Sequence, residues 1–223
     1  MKGRLFGVGV GPGDPELMTY KAVRTIEKCP VIAVPAKGRE HAVSYRIAAG
    51  MVDNMEEKEY LDLDTPMTKD RQILNQNYEK AAKRIIEELE KGKDVAYLTL
   101  GDPTIYSTYM YIQRIIKEKE YETSIINGIP SFCAAASKLN ESLADRADEL
   151  HVIPSSYDIR NALRYPGTKV LMKSASRLAE VREILKEKNV DVKMIENEQI
   201  YERLEDIPEH ASYYSLLIVK ESV

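Results

Sequence analysis

The chain opens with Arg4-Leu5-Phe6-Gly7-Val8-Gly9-Val10, a strand pattern that runs straight into the turn Gly11-Pro12-Gly13-Asp14-Pro15. A strand that feeds a glycine-rich turn fits an α/β protein, in which ligands bind at strand ends. Glycine lets the backbone turn tightly and lets a ligand approach without interference from a Cβ. Two common phosphate loops are excluded. A dinucleotide loop needs a third glycine where Pro12 stands, and the next strand ends in Val34-Pro35 rather than in an acidic residue. A P-loop fails because Gly92-Lys93 lacks both the earlier glycine and a following Ser or Thr. The turn therefore points to backbone contact with something other than a pyrophosphate; a purely structural turn is the competing reading.

Beyond this turn, short β-rich runs alternate with longer helical stretches. Strands are predicted over 29–34, 94–100, 123–126, 151–153, 169–172, 192–195 and 215–219. The clearest helix covers Asn75 to Lys91, where Tyr78, Ala81, Ala82, Ile85, Ile86 and Leu89 recur at helical spacing and Gly92 stops it. Further helices are predicted over 104–119, around 134–136, and from about Ser176, with Leu178, Val181, Ile184 and Leu185 as a buried stripe. Charged and small residues interrupt the apolar pattern at 142–149. The expectation is an α/β fold of two lobes, 1–146 and 147–223.

With 43% hydrophobic and 30% charged residues among 223, the chain can bury a substantial core. A net charge of -4 gives no general attraction to nucleic acid. No apolar run approaches membrane-spanning length and no signal segment precedes the first strand, so a cytoplasmic protein is expected. Cys29 and Cys133 have no metal-ligand spacing and read as small buried hydrophobes. His41, His151 and His210 form no constellation with a nucleophile, and no metal site is expected.

A second segment stands out, Thr99-Leu100-Gly101-Asp102-Pro103-Thr104-Ile105-Tyr106-Ser107-Thr108-Tyr109. An apolar strand ends in Gly-Asp-Pro, and a helical pattern follows. Asp102 can cap that helix with Pro103 at its first position, and the same position suits ligand binding. Together with Gly11-Pro12-Gly13-Asp14-Pro15-Glu16-Leu17-Met18-Thr19, Gly128-Ile129-Pro130-Ser131, Val170-Leu171-Met172-Lys173 and Ile195-Glu196-Asn197, this segment resembles the tetrapyrrole methylase family. Within the family the chain is most similar to the precorrin-2 or cobalt-factor II methyltransferases that act on carbon-20. That closer likeness is carried by Pro66-Met67-Thr68-Lys69-Asp70, by Leu100 to Tyr109, and by Ser131-Phe132-Cys133-Ala134-Ala135-Ala136.

The resemblance implies a class III methyltransferase fold with a cleft between its lobes, a homodimer, and methyl transfer from S-adenosylmethionine to a tetrapyrrole carbon. It implies cofactor contacts at Pro12, Leu100, Gly101, Asp102, Ile105, Pro130, Ser131 and Met172, and further ones near Asn197 and Glu198. The chain departs from the family pattern at Asn127-Gly128, where Pro-Gly is usual, and at Pro130 and Glu198. Asp102 is nominated to orient the cofactor and, second, as a base; Tyr106 and Tyr109 are nominated to flank the macrocycle, with packing as the alternative. A carboxylate-rich substrate needs cations. Lys37, Arg39, Arg46, Lys69 and Arg71, near predicted strand ends, form the candidate set. Rival readings are another ring position or a non-tetrapyrrole target within the family, and a non-catalytic ligand-binding module.

Overall fold

The computed structural model describes the chain except residues 37, 66, 67, 69, 155–157, 174–176, 198, 213, 222 and 223. Two compact units follow one another, Met1–Ser131 and Phe132–Val223. In the first, β1 (Leu5–Gly9), β2 (Val31–Val34), β3 (Glu59–Asp62), β4 (Val95–Thr99) and β5 (Thr123–Ile126) form one sheet ordered β3-β2-β4-β1-β5. Every pairing in it is parallel. β2 and β4 are buried along their whole length, as expected of continuous apolar strands covered on both faces.

Side-chain alternation sorts the core into two layers. Val8, Ile32, Val34, Ala96 and Leu98 pack with α1 (Tyr20–Lys28) and α2 (Val43–Ala49). Leu5, Val31, Ala33, Val95 and Tyr97 pack with α3 (Arg71–Glu90) and α4 (Tyr109–Glu118) on the opposite face. The chain thus leaves β1 over one face through α1, and leaves neighbouring β4 over the other through α4. Connections diverge at the carboxyl ends of these two strands, which is where open α/β sheets form their ligand crevice.

The helix α5 (Ser131–Leu139) leads into the second unit. There β6 (Leu150–Pro154), β7 (Thr168–Met172), β8 (Val190–Glu196), β9 (Gln199–Tyr201) and β10 (Ser215–Glu221) form a sheet ordered β6-β7-β10-β8-β9. Only β6 and β7 run parallel. The short α6 (Ile159–Ala162) and α7 (Leu178–Lys186) cover the face that carries Leu171, Met194, Leu217 and Val219. Leu178, Val181, Ile184 and Leu185 are buried there, as their spacing predicts, whereas the expected start at Ser176 lies outside the described residues. The sequence-based division at 146/147 assigns α5 to the first lobe; the compact units place all of it but Ser131 in the second.

Three differences from the sequence reading have physical causes. The helix α3 starts four residues early because Asp70 caps it, its Oδ1 accepting from the amides of Gln72 (2.8 Å) and Ile73 (3.3 Å). The strand β3 is not foreseen in the sequence because it is four residues long with a carboxylate at each end, Glu59 exposed and the other three only half-buried. Cys29 is buried, but Cys133 is exposed, since the inward face of α5 is taken by Phe132, Ala135 and Ala136. Among the described residues no helix is long and apolar enough to cross a membrane, and no group of three or more His, Cys, Asp and Glu is placed to hold a metal ion.

Tyr97 lies fully buried on β4, and its hydroxyl has no hydrogen-bond partner among the described residues. Leaving a buried hydroxyl unsatisfied costs about 1–3 kcal/mol. Tyr97→Phe is therefore expected to hold or raise the thermal midpoint, by roughly 2–4 °C per kcal/mol regained. A lower midpoint in a melting experiment would contradict this.

Candidate functional site

Glycines stand at or just past the ends of three neighbouring strands: Gly9 closes β1, Gly101 lies two residues past β4, and Gly128 two residues past β5. The two turns singled out in the sequence meet here. The Gly101 amide donates to the Gly11 carbonyl (2.7 Å) and the Gly11 amide to the Gly101 carbonyl (3.3 Å), a small antiparallel bridge. A Cβ on Gly9 would lie 2.6 Å from both the Gly101 oxygen and the Gly128 nitrogen; one on Gly128 would lie 2.2 Å from the Gly101 oxygen. No side chain fits between these backbones. On Gly101, in contrast, a Cβ would meet only the Ile129 oxygen, at 3.9 Å, so that side is open. Gly101 has a φ of 69°, in the left-handed region that favours glycine.

Asp102 locks this junction. It is 6% exposed, and its two oxygens serve four donors. Oδ1 accepts from the Thr104 amide (2.8 Å) and from the Thr104 hydroxyl; Oδ2 accepts from Asn127 Nδ2 (3.1 Å) and from the Gly128 amide (3.0 Å). Burial by itself raises the carboxyl's pKa, but the bonds from Thr104, Asn127 and Gly128 outweigh it and hold the group below the ordinary carboxylate value. A carboxylate so occupied orients the turns and is poorly suited to take a proton. The nomination of Asp102 as a base is set aside on this geometry.

The expected helix from Thr104 begins only at Tyr109. Asp102 does satisfy the amide of Thr104, two residues on, but that bond makes a turn rather than a helix cap. Ser107 then ties the loop back to the sheet, its Oγ lying 2.9 Å from Thr99 Oγ1 and accepting from the Tyr109 amide (3.2 Å). This shift separates the two tyrosines nominated together. Tyr109 is fully buried, donates its hydroxyl to the Ser124 carbonyl (3.0 Å), and packs its ring where Gly7 leaves room. It cannot flank a substrate, and that nomination is corrected to a packing role. Tyr106 is 47% exposed and holds a left-handed φ of 48°, an unusual conformation for an aromatic residue. Partial burial raises its phenol pKa.

Pro12, Leu100, Ile105, Pro130 and Ser131 are each half-buried in the segments that meet at the junction. Met172, at the end of β7, belongs to the second unit and is half-buried there. Asn197, also in the second unit, has a left-handed φ of 53°, and Glu198 lies outside the described residues. Of the nominated cations, Lys37 and Lys69 lie outside the described residues. Arg46 and Arg71 are exposed. Arg39 is engaged already: it pairs with Glu56 (2.9 Å) and lies over the ring of Tyr60 (4.5 Å). The anchoring roles of Thr104 and Ser107, and that of Asn127 as a donor, are not foreseen in the sequence, where the Asn127-Gly128 turn dipeptide is the only local signal for the last.

The family model of the tetrapyrrole (corrin/porphyrin) methylases matches residues 4–197. The chain belongs to this family. It is 33% identical to the probable cobalt-precorrin-2 C(20)-methyltransferase of Methanocaldococcus jannaschii, over 97% of the chain and 96% of that protein. It is 30% identical to the cobalt-precorrin-2 C(20)-methyltransferase of Salmonella typhimurium, over 83% of the chain and 78% of that protein. Among solved structures, a cobalt precorrin-4 methyltransferase shares the fold with a TM-score of 0.77 at 18% identity, covering 97% of this chain and 94% of that one. So does a uroporphyrin-III C-methyltransferase of Thermus thermophilus complexed with S-adenosylhomocysteine, with a TM-score of 0.70 at 21% identity and 98% of both chains covered. The two-sheet α/β architecture is that of this tetrapyrrole methylase's structural neighbours.

The junction can be tested at two positions. Asp102→Asn puts an N–H against a donor that Asp102 now accepts from, at a cost of about 1–3 kcal/mol at neutral pH. Because the folded pKa of Asp102 is depressed, its stabilisation is complete above the ordinary carboxylate range and is lost as pH falls through the lower folded value. The gap in thermal midpoint between wild type and Asp102→Asn should accordingly shrink from pH 7 to about pH 3; a gap that does not depend on pH would contradict the assignment. Gly128→Ala should cost about 1–3 kcal/mol in chemical denaturation through the clash with the Gly101 carbonyl, and a neutral outcome would show that the backbones are not interlocked.

Proposed function

We propose that this tetrapyrrole methylase transfers a methyl group from S-adenosylmethionine to carbon-20 of precorrin-2 or its cobalt-bearing form, in cobalamin biosynthesis. The observation that carries the reading is the open backbone cradle at Gly101, built where the chain connections of the sheet diverge. Support for the ring position comes from relatives named for C(20) activity over most of the chain's length.

The residues present fit such a donor. Gly101 offers backbone without a side chain, and Pro12, Leu100, Ile105 and Pro130 offer half-buried apolar surface around it. Ser131 adds a hydroxyl at the start of α5. The bound cofactor supplies an already charged methyl sulfonium, which needs no residue to activate it. What the protein contributes is placement, and well-oriented reactants gain roughly 7–11 kcal/mol against the barrier. Asp102 fixes the cradle rather than the reacting atoms. Tyr106 stands half-exposed four residues beyond it in the same loop. With its pKa raised, its phenol stays protonated at neutral pH and acts as a hydrogen-bond donor or a ring platform, not as a base.

Arg46 on α2 and Arg71 at the start of α3, in segments that follow β2 and β3, are the described, exposed cations assigned to the substrate's carboxylates. Arg39 joins them only by giving up Glu56. A homodimer, as the resemblance to the family implies, and a cytoplasmic setting complete the proposal.

Incubation with S-adenosylmethionine and metal-free or cobalt-loaded dipyrrocorphin-type substrate tests the activity by mass and absorbance. Gain of one methyl group is expected, and no gain on either form would refute it, leaving another target within the family or a ligand-binding module. Arg71→Glu and Arg46→Glu should each raise the substrate's KM several-fold and leave cofactor affinity unaltered. Equal loss of both affinities would show that these arginines do not serve the substrate.

A further inference from the structure

Among the described residues around the glycine junction, Asn127 alone bonds to both of the turns that build it. Its backbone carbonyl accepts from the Thr19 hydroxyl (3.2 Å), and Thr19 is the N-cap of α1, where the glycine-rich segment ends. Its side-chain Nδ2 donates to Asp102 Oδ2 (3.1 Å), beside the donation from the Gly128 amide to the same oxygen (3.0 Å). The residue itself is exposed and fills no core space. Its side-chain amide therefore has little to do for packing, and the partner it meets among the described residues is a buried carboxylate.

We infer that Asn127 is a positioning residue for the cofactor cradle, acting through Asp102. The inference rests on the proposed reading of that cradle as the S-adenosylmethionine seat. The Asn127 amide helps hold Asp102 ionised and aimed at the Gly128 amide. Asp102 in turn sets the left-handed Gly101 turn that leaves the backbone open. Thr104 keeps the other carboxylate oxygen in place within its own turn, so this carboxylate's link from the β4 turn to the β5 turn runs through Oδ2. Asn127 supplies one of the two donors on that link, and it is the one that a substitution can remove without altering the main chain.

The charge of Asp102 makes this testable by a pH signature. The groups facing that carboxylate are the Thr104 hydroxyl and amide, the Asn127 amide and the Gly128 amide, and none of them titrates. Asn127→Asp would place a second carboxylate against Oδ2. At pH 8 the two repel each other; as pH falls, one proton shared between them restores a hydrogen bond. Asn127→Ala removes the donor and introduces no titrating group.

The test is calorimetric binding of S-adenosylhomocysteine to the full chain between pH 5 and pH 8, with thermal midpoints and steady-state kinetics alongside. Asn127→Ala is expected to weaken binding about five- to tenfold at every pH, with the loss falling on the cofactor's KM more than on kcat. Asn127→Asp should bind more weakly still at pH 8 and recover to the level of Asn127→Ala or better at pH 5. The midpoints of both variants report folding and are expected within a few degrees of wild type. Wild-type affinity in both variants at all pH values would overturn the inference while leaving the cofactor reading intact. So would losses in affinity that track the midpoints with no recovery of Asn127→Asp at low pH, which would mark a purely structural role. Failure of the wild-type chain itself to bind would instead overturn the cofactor reading.

Discussion

One carboxylate ties together the strand-end junction of the first unit. Asp102 is almost wholly buried at the end of a parallel strand, a costly position for a charge unless donors surround it. Donors do surround it, two from its own turn and two from the loop after β5. The outcome is a joint between strand ends made of backbone and one ionised side chain. The glycines let the backbones come that close, and Asp102 makes the closeness favourable. Without the carboxylate the Gly128 amide would lose this acceptor, and with a Cβ at Gly9 or Gly128 the backbones could not approach so closely.

The sheet places this joint where a ligand site is expected. Since β1 and β4 are neighbours whose helices leave over opposite faces, no crossover covers their carboxyl ends. Chemistry that relies on placement suits such a site. A methyl donor that arrives activated asks for a rigid seat, and a joint made of backbone hydrogen bonds has fewer rotamers to average over than one made of long side chains. In this tetrapyrrole methylase the conspicuous acidic residue of the motif has both carboxylate oxygens engaged in the joint itself.

How far the sequence can be read depends on how local each cause is. The glycine turn, the β4 strand and the apolar stripe of α3 are visible because their signals lie within a few residues of one another. Asp102 is legible as a motif residue, yet its saturation is not, because Asn127 and Gly128 lie 25 and 26 residues away. Tyr106 and Tyr109 look equivalent on a helix that starts at Thr104. The Ser107–Thr99 contact delays that helix and sends one tyrosine into the core and the other outward. Arg39 looks like a free cation in the sequence because Glu56, its partner, stands 17 residues on. The strand β3 escapes sequence reasoning for a different reason: it is short and mostly polar, and only its place beside β2 makes it a strand.

The central claim is that the joint of Gly9, Gly101 and Gly128 is where the methyl donor sits. Amide NMR of isotope-labelled protein titrated with S-adenosylhomocysteine addresses it directly. The account predicts saturable shifts of the Gly9, Gly11, Gly101 and Gly128 amide signals, together with those of Asp102 and Ile105. Binding that left these signals in place while moving another group of residues would contradict it.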